Sequence, residues 1–356
     1  MFQKRIEELQ KILNKNEALL ITNENNRFYF IGMRSSAGTL VILKEEVYFI
    51  IDFRYFEKAK EMVNSATVLL QNSLFNDLKT IFKKHNIEEI LLEPDTVTLR
   101  EYESFKNNLP EFKVFAKAEI SKKIKALRRI KSNEEIENIK KAQDITDKTF
   151  DYILNKIKSG VTEKEIALDM EFFMRKSGSE GVSFDFIVVS GKNSSLPHGV
   201  PTDKPLEAGD FITMDFGAVI NGYRSDMTRT VALEYATDEM QKVYNTVLES
   251  QNLALKEIKP NGVCRDIDNI ARKFIYNEGY EGCFGHGLGH SVGLEIHENP
   301  AFNTRDETRL ESGMIMTVEP GIYLENKFGV RIEDMVLITE NSYENLTKSK
   351  KELIIL

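Results

Sequence analysis

The chain has 356 residues, of which 41% are hydrophobic and 29% charged, with a net charge of -8 and a pI near 5.5. That length suits two domains with ample core, and the acidic balance argues against a nucleic-acid binder, which presents a basic face. Two cysteines without a CxxC pair exclude a disulfide framework or zinc ribbon, no apolar run reaches membrane-spanning length, and residues 1–5 open no signal core, so a reducing cytoplasm is the expected home. Residues 2–13 place Phe2, Ile6, Leu9 and Leu13 at helical spacing. Apolar runs at 18–21, 28–31, 39–43 and 47–51 read as strands. Helical and extended patterns then alternate: helix 55–63, strand 68–70, helix 74–84, strand 90–92, helix 99–109 and strand 112–116. This predicts an α/β domain with a mixed sheet over 1–125. It holds no GxGxxG and no Walker loop.

The charged stretch 117–131 marks the boundary to a second domain, 126–356, with its basic run 122–129 read as a solvated linker or helix face. Ser132-Asn133-Glu134-Glu135 is a capping box. The helix it opens carries Ile136, Ile139, Ala142, Ile145, Phe150 and Ile153 on one face. Thr162-Glu163-Lys164-Glu165 caps a second helix, and a strand at 184–190 follows. A similar order returns later, with a long helix at 238–258, a shorter one at 266–277, a Gly/His stretch and further strands. The pattern predicts a duplicated helix–helix–strand unit, an α+β domain with internal pseudo-symmetry and a pocket where its halves join.

Asn221-Gly222 between apolar strands (211–219 and 223–234) is a strong two-residue hairpin signal. If those residues turn, Ile220 pairs with Tyr223, Asp215 lies opposite Thr228, and Asp226 opposite Gly217. The two aspartates then share one face as diagonal neighbours. A second hairpin, strand 314–319 returning as 330–338 around Asn326, sets Glu319 against Glu333, though its longer loop leaves the register open. Bare carboxylates this close repel unless a proton or cation sits between them. A histidine from the Gly-rich segment 285–290 would add one nitrogen donor. Oxygen-rich ligands with one nitrogen suit divalent manganese, cobalt, iron or zinc, and four acids suit two ions rather than one. The Gly-rich run by itself could be a phosphate loop, but no Lys-Ser/Thr follows it.

Several motifs come in one order. They are Asp215-Phe216-Gly217, Ser225-Asp226-Met227-Thr228-Arg229-Thr230, His286-Gly287-Leu288-Gly289-His290, His297-Glu298-Asn299-Pro300, Glu319-Pro320-Gly321-Ile322-Tyr323 and Gly329-Val330-Arg331-Ile332-Glu333-Asp334. Together they resemble the pita-bread metallopeptidases, and most closely the Xaa-Pro branch of aminopeptidase P and prolidase. The upstream domain resembles the creatinase-type amino-terminal domain, including Asp52-Phe53-Arg54-Tyr55.

The resemblance implies a creatinase-type α/β domain followed by a pita-bread catalytic domain. It implies two divalent ions, with manganese as first choice and cobalt, zinc or iron compatible. Their ligands would be Asp215, Asp226, His290, Glu319 and Glu333. Asp226 would hold one ion and His290 the other, Asp215 and Glu333 would lie between them, and Glu319 would sit on the His290 side.

His198 and His297 would line the substrate cleft, Arg331 would stand beside a bridging acid, and Glu319 would shuttle a proton. A metal-bridging hydroxide would attack the carbonyl before proline, with Phe184, Ile187 and Tyr223 as apolar walls. The expected partners are a proline-containing peptide and a second copy of the chain, with neither nucleic acid nor membrane. A methionine aminopeptidase-like enzyme and a non-catalytic scaffold on the same fold are the alternatives. The intact five-residue set speaks against the scaffold, and the amino-terminal domain speaks against the aminopeptidase. Dipeptidase and aminopeptidase remain equally compatible with the residues.

Overall fold

The computed structural model describes residues 1–356, which form two compact units, Met1–Arg128 and Arg129–Leu356. The first contains helices α1 (Phe2–Gln10), α2 (Glu24–Ile31), α3 (Phe53–Met62), α4 (Leu74–Lys84), α5 (Leu99–Asn108) and α6 (Ala118–Arg129). Its strands are β1 (Glu17–Ile21), β2 (Thr39–Ile42), β3 (Val47–Ile51), β4 (Thr67–Leu70), β5 (Glu89–Leu92) and β6 (Lys113–Ala116), ordered β4-β3-β2-β1-β5-β6. The sheet is mixed, as the sequence suggested. β1 and β2 pair antiparallel, as do β2 and β3, while β1–β5, β3–β4 and β5–β6 are parallel.

One element differs from expectation. Residues 28–31 are not a strand but the end of α2. The Asn23 side chain accepts from the Asn26 amide at 2.9 Å and starts the helix, and Gly32, at φ 71°, stops it. A run of four apolar residues is too short for periodicity to separate a strand from a buried helical turn. The basic run 122–129 lies on α6, whose Ile120 and Ile124 are buried.

The second unit begins with α7 (Asn133–Leu154) and α8 (Glu163–Lys176), each opened by the capping box read from the sequence. Strands β7 (Ile187–Ser190), β8 (Phe211–Phe216), β9 (Val219–Ile220), β10 (Tyr223–Arg224) and β11 (Met227–Ala232) follow. Then come α9 (Asp238–Glu257) and α10 (Cys264–Ile275). The remaining strands are β12 (Gly289–Ser291), β13 (Glu298–Phe302), β14 (Ile315–Val318), β15 (Gly321–Leu324), β16 (Phe328–Arg331), β17 (Asp334–Ile338) and β18 (Tyr343–Asn345).

The duplication is visible in this order. Two helices and the antiparallel set β7-β8-β11 form one half; two helices and β12-β14-β17 form the core of the other. In the first half, Ile145, Phe150 and Ile153 of α7 pack on Ile166 and Met170 of α8 and on Val188 and Met214 of the sheet. In the second, Val243 and Val247 of α9 and Ile267 and Ala271 of α10 cover Met316, Val318 and Val336. Each such side chain contributes roughly 1.5–3 kcal/mol of burial. These apolar faces, recurring at helical spacing, explain why the helices lie on one side of each sheet.

The first hairpin keeps the register expected for it, and the structure supplies the register that was left open for the second. Asn221 (φ 47°) and Gly222 (φ 78°) form the turn, Tyr223 pairs with Ile220, and Thr228 with Asp215. In the second, Ile315 pairs with Leu337 and Val318 with Asp334, while Gly321 pairs with Arg331 and Leu324 with Phe328. One register thus runs through both strand pairs and sets Glu319 directly across from Glu333. Asn326, at φ 59°, sits at the turn. Two glycines mark matching places in the halves. A Cβ on Gly217 would meet the Ser225 carbonyl at 1.9 Å, and one on Gly289 the Thr317 carbonyl at 2.0 Å. Only glycine lets the strands approach this closely beside Asp226 and His290.

Candidate metal centre

The two hairpins bring their acids to the seam between the halves. There the Glu333 amide donates to the Thr228 carbonyl at 3.0 Å, and Thr230 Oγ1 donates to the Arg331 carbonyl at 3.0 Å. Asp215 comes from β8 and Asp226 from just before β11, while Glu319 follows β14 and Glu333 precedes β17. His290 enters from β12. Ligand atoms of Asp226, His290 and Glu333 all lie within 4.8 Å of one another. His290 Nε2 is 3.6 Å from Asp226 Oδ2 and 3.4 Å from Glu319 Oε1. His290 Nδ1 lies 3.2 Å from the Ser291 carbonyl, which can only accept. The proton therefore sits on Nδ1, and the Nε2 lone pair faces the acids.

Supporting bonds hold three of the four carboxylates. Arg331 Nη2 donates to Asp215 Oδ2 at 2.6 Å, and Thr228 Oγ1 to Glu333 Oε2 at 2.7 Å. The Thr317 hydroxyl accepts from the His290 amide at 3.0 Å and donates to Glu319 Oε1 at 3.2 Å. Arg331 also reaches Tyr323 Oη, Thr228 Oγ1 and the Pro197 carbonyl. Two buried oxygens remain without a hydrogen-bond partner: Asp215 Oδ1 and Glu333 Oε1. Buried acceptors are ordinarily satisfied, so two orphaned carboxylate oxygens lining one cavity call for a cation.

The electrostatics agree. Burial, then repulsion from Glu333, Asp215 and Glu319, lifts the Asp226 carboxyl far above its ordinary range. Burial, then Glu319 and Asp215, does the same to Glu333. Burial pushes Glu319 up to about 8, against the pull of Arg331 and with the push of Asp215. His290 is driven down to about 4 by burial and by the neighbouring His297, which keeps its imidazole neutral. Crowded acids and a neutral imidazole fit divalent cations, which would replace the protons these acids otherwise need.

All five candidate ligands line one cavity of about 890 Å³, together with His198, His297 and Arg331. His297 stands beside His290, with ring centroids 4.4 Å apart. His198 is exposed on the loop after β7. Phe184, Phe186 and Ile187 supply apolar wall. Tyr223, expected to join that wall, does not: it is buried elsewhere and donates to Glu135 Oε1 at 2.8 Å. Alternation from the β10 start points its ring at α7 instead.

Sequence reasoning passed over the threonines. Thr228, opposite Asp215, and Thr317, two residues before Glu319, were legible from strand alternation alone. It also gave no role to Lys131. Its buried Nζ sits 2.9 Å from Ser291 Oγ and 3.4 Å from Glu298 Oε2, tying β12 to β13 beside the two histidines.

Comparison with known proteins matches this arrangement. Residues 137–340 match the model of metallopeptidase family M24, and residues 5–130 that of the creatinase/prolidase N-terminal domain. The chain is 40% identical to a Xaa-Pro dipeptidase of Pyrococcus furiosus, over 99% of this chain and 100% of that protein. Among solved structures, a Xaa-Pro dipeptidase from Bacillus anthracis superposes with a TM-score of 0.96 at 40% identity, covering 100% of both chains. An X-Pro aminopeptidase from Thermotoga maritima MSB8 gives a TM-score of 0.90 at 38% identity, covering 98% of this chain and 100% of that one. With the fold, the match over most of the second unit and this kinship, the chain belongs to metallopeptidase family M24, with a creatinase-type N-terminal domain before a pita-bread catalytic domain.

Proposed function

We propose that this protein is a dinuclear metal-dependent peptidase that hydrolyses the Xaa-Pro bond, at the N-terminus of peptides or in dipeptides. The convergence of Asp215, Asp226, His290, Glu319 and Glu333 on one cavity, with two buried carboxylate oxygens unpartnered, carries this reading. Those five residues would hold the two ions. Bound there, divalent cations supply the charge that makes water nucleophilic near neutral pH and polarises the carbonyl before proline.

The remaining chemistry belongs to side chains. Glu319, which lines the cavity beside the other acids, takes the proton of the attacking water and delivers it to the leaving proline nitrogen. His297 and His198, which line the cleft, donate to the oxygen that becomes negative at the attacked carbon. Arg331 keeps Asp215 turned toward the centre through its 2.6 Å bond. The nitrogen being released carries no N–H, so the wall that receives the ring should be apolar, and Phe184, Phe186 and Ile187 provide it.

Manganese is the proposed physiological ion, since oxygen-rich sites with one imidazole suit it; cobalt, zinc and iron can enter the same donors. The proposed assembly is a homodimer, which light scattering would report as twice 40.9 kDa. A cytoplasmic home accords with two cysteines left as free thiols, and no helix is long and apolar enough to cross a membrane.

The direct test uses metal-stripped protein with manganese restored, given a Xaa-Pro dipeptide and a Xaa-Pro-Xaa tripeptide in parallel. Hydrolysis of at least one, lost on chelation and restored by manganese, is expected. No cleavage of either would overturn the reading. Preference for the dipeptide would mark a cleft closed behind proline, and tripeptide cleavage an open one.

A further inference from the structure

The loop carrying His198 is exposed, yet one buried carboxylate holds both of its ends. Glu163, in the first turn of α8, is 0% exposed and does not line the cavity. Its Oε1 accepts from the Ser190 amide at 2.7 Å, Ser190 Oγ at 2.9 Å and Asn193 Nδ2 at 3.2 Å. Its Oε2 accepts from the Thr202 amide at 2.9 Å and Thr202 Oγ1 at 2.7 Å. Ser190 ends β7 and precedes the loop, Asn193 lies inside it, and Thr202 follows it. Pro197, His198, Gly199, Val200 and Pro201, between these anchors, line the cavity. Between them the loop has two further ties: Arg331 Nη1 to the Pro197 carbonyl at 3.2 Å, and the Gly329 amide to Ser194 Oγ at 2.9 Å. Leu196 and Val200 are 56% and 75% exposed, so apolar packing does little to hold the segment.

The capping requirement does not explain Glu163. Thr162 and Glu165 already complete the capping box, with the Thr162 hydroxyl accepting from the Glu165 amide and Glu165 accepting from the Thr162 amide. A carboxylate bonded to five donors offers acceptors only, and two of its partners are backbone amides that cannot reverse. An acid at a helix N-terminus also gains from the helix dipole. All of its donors belong to the loop and its two flanks.

We infer that Glu163 is a positioning residue for Xaa-Pro hydrolysis, fixing where His198 stands in the cleft by clamping residues 190 and 202 to one carboxylate. The inference rests on the proposed peptidase activity. Glu163 touches neither substrate nor metal and acts through His198. A misplacement of about 1 Å can cost on the order of 100-fold in rate, so loss of the clamp should be visible in catalysis.

The test is a double-mutant cycle with Glu163→Gln and His198→Ala, read with the peptide that the wild-type protein cleaves. Glutamine keeps the shape but brings an N–H against a donor, which opens one side of the clamp. Expected is a fall in kcat/KM of about 10- to 100-fold for Glu163→Gln alone, with manganese affinity within twofold of wild type. In the His198→Ala background the same change should cost less than twofold. Equal costs in the two backgrounds, a wild-type rate for Glu163→Gln, or a loss of manganese affinity in that variant would each overturn the inference. If Glu163→Gln does not fold, Thr202→Val removes one hydroxyl donor from the far side of the clamp, and the same non-additivity is expected of it. A wild-type protein that cleaves neither peptide would instead refute the activity on which the inference stands.

Discussion

Asp226→Asn should abolish metal-dependent hydrolysis of Xaa-Pro peptides, with kcat/KM falling by more than about 100-fold, the upper end of what losing even a supporting partner of a ligand costs. Asparagine matches aspartate in shape, so the packing beside Gly217 survives. What disappears is one negative charge and one acceptor oxygen, in a cluster where Asp226 Oδ2 stands 3.6 Å from His290 Nε2. The same change should have the opposite sign on the stripped protein. Burial and three neighbouring acids already disfavour the ionised form of Asp226, so a neutral amide relieves repulsion from Glu333, Asp215 and Glu319. The metal-free variant should melt no lower than metal-free wild type at pH 7 to 8, while its activity is gone. Turnover equal to wild type, measured with saturating manganese, would sink the assignment of Asp226.

The second large effect is on stability, and it depends on pH. In the metal-free protein, Asp226, Glu319 and Glu333 all bind protons more tightly than they do in an unfolded chain, where such groups titrate near 4. A folded state that holds more protons than the unfolded one loses stability as pH rises. The contribution is fully present below about pH 4 and is lost as pH climbs through the folded value, which for Glu319 is about 8. Stripped protein should therefore melt progressively lower between pH 7 and 9, above the range in which His286, His290 and His297, all held below the ordinary imidazole value, add the opposite slope. A loss on the order of 3–5 kcal/mol in a unit of this size corresponds to roughly 10 °C in Tm. Manganese should restore the melting temperature and flatten its pH dependence, because a cation does the work of the protons. Binding should also release protons, read calorimetrically in buffers of different ionisation enthalpy, and should tighten as pH rises. A stripped protein whose Tm is flat from pH 7 to 9 would contradict this picture of the cluster.

Much of the candidate site was legible because strand alternation and turn chemistry are local. Asn221-Gly222 fixed one hairpin, and a fixed register placed Asp215 opposite Thr228 without any knowledge of the fold. The longer turn around Asn326 left its register open on paper. The structure closes it, since one pairing runs from Ile315–Leu337 through to Leu324–Phe328. The capping boxes at Ser132 and Thr162 were equally local and appear as read.

What escaped was long-range or two-valued. Residues 28–31 could be strand or buried helix, and the caps at Asn23 and Gly32 decided it. Tyr223 was expected on the apolar wall of the cleft, but its hydroxyl goes to Glu135, 88 residues away in the chain. Glu163 looked like one more acid in a helix-opening motif, since nothing local distinguishes an acid that caps from one that clamps a loop. Arg229 is of the same kind. Its guanidinium is buried against Asp334 at 2.7 Å and donates to the Ser349 and Lys350 carbonyls, which braces the start of β17, next to Glu333. Each of these depends on partners that only folding brings together.

The central claim is that five side chains hold two ions, and the measurement that tests it most directly is a count. Stripped protein is saturated with manganese, freed of loosely held metal on a desalting column, and analysed for manganese per chain. Two ions per chain, with hydrolysis of Xaa-Pro peptide rising as the sites fill, is the predicted result. Full hydrolysis with one ion per chain, or with none, would contradict the account.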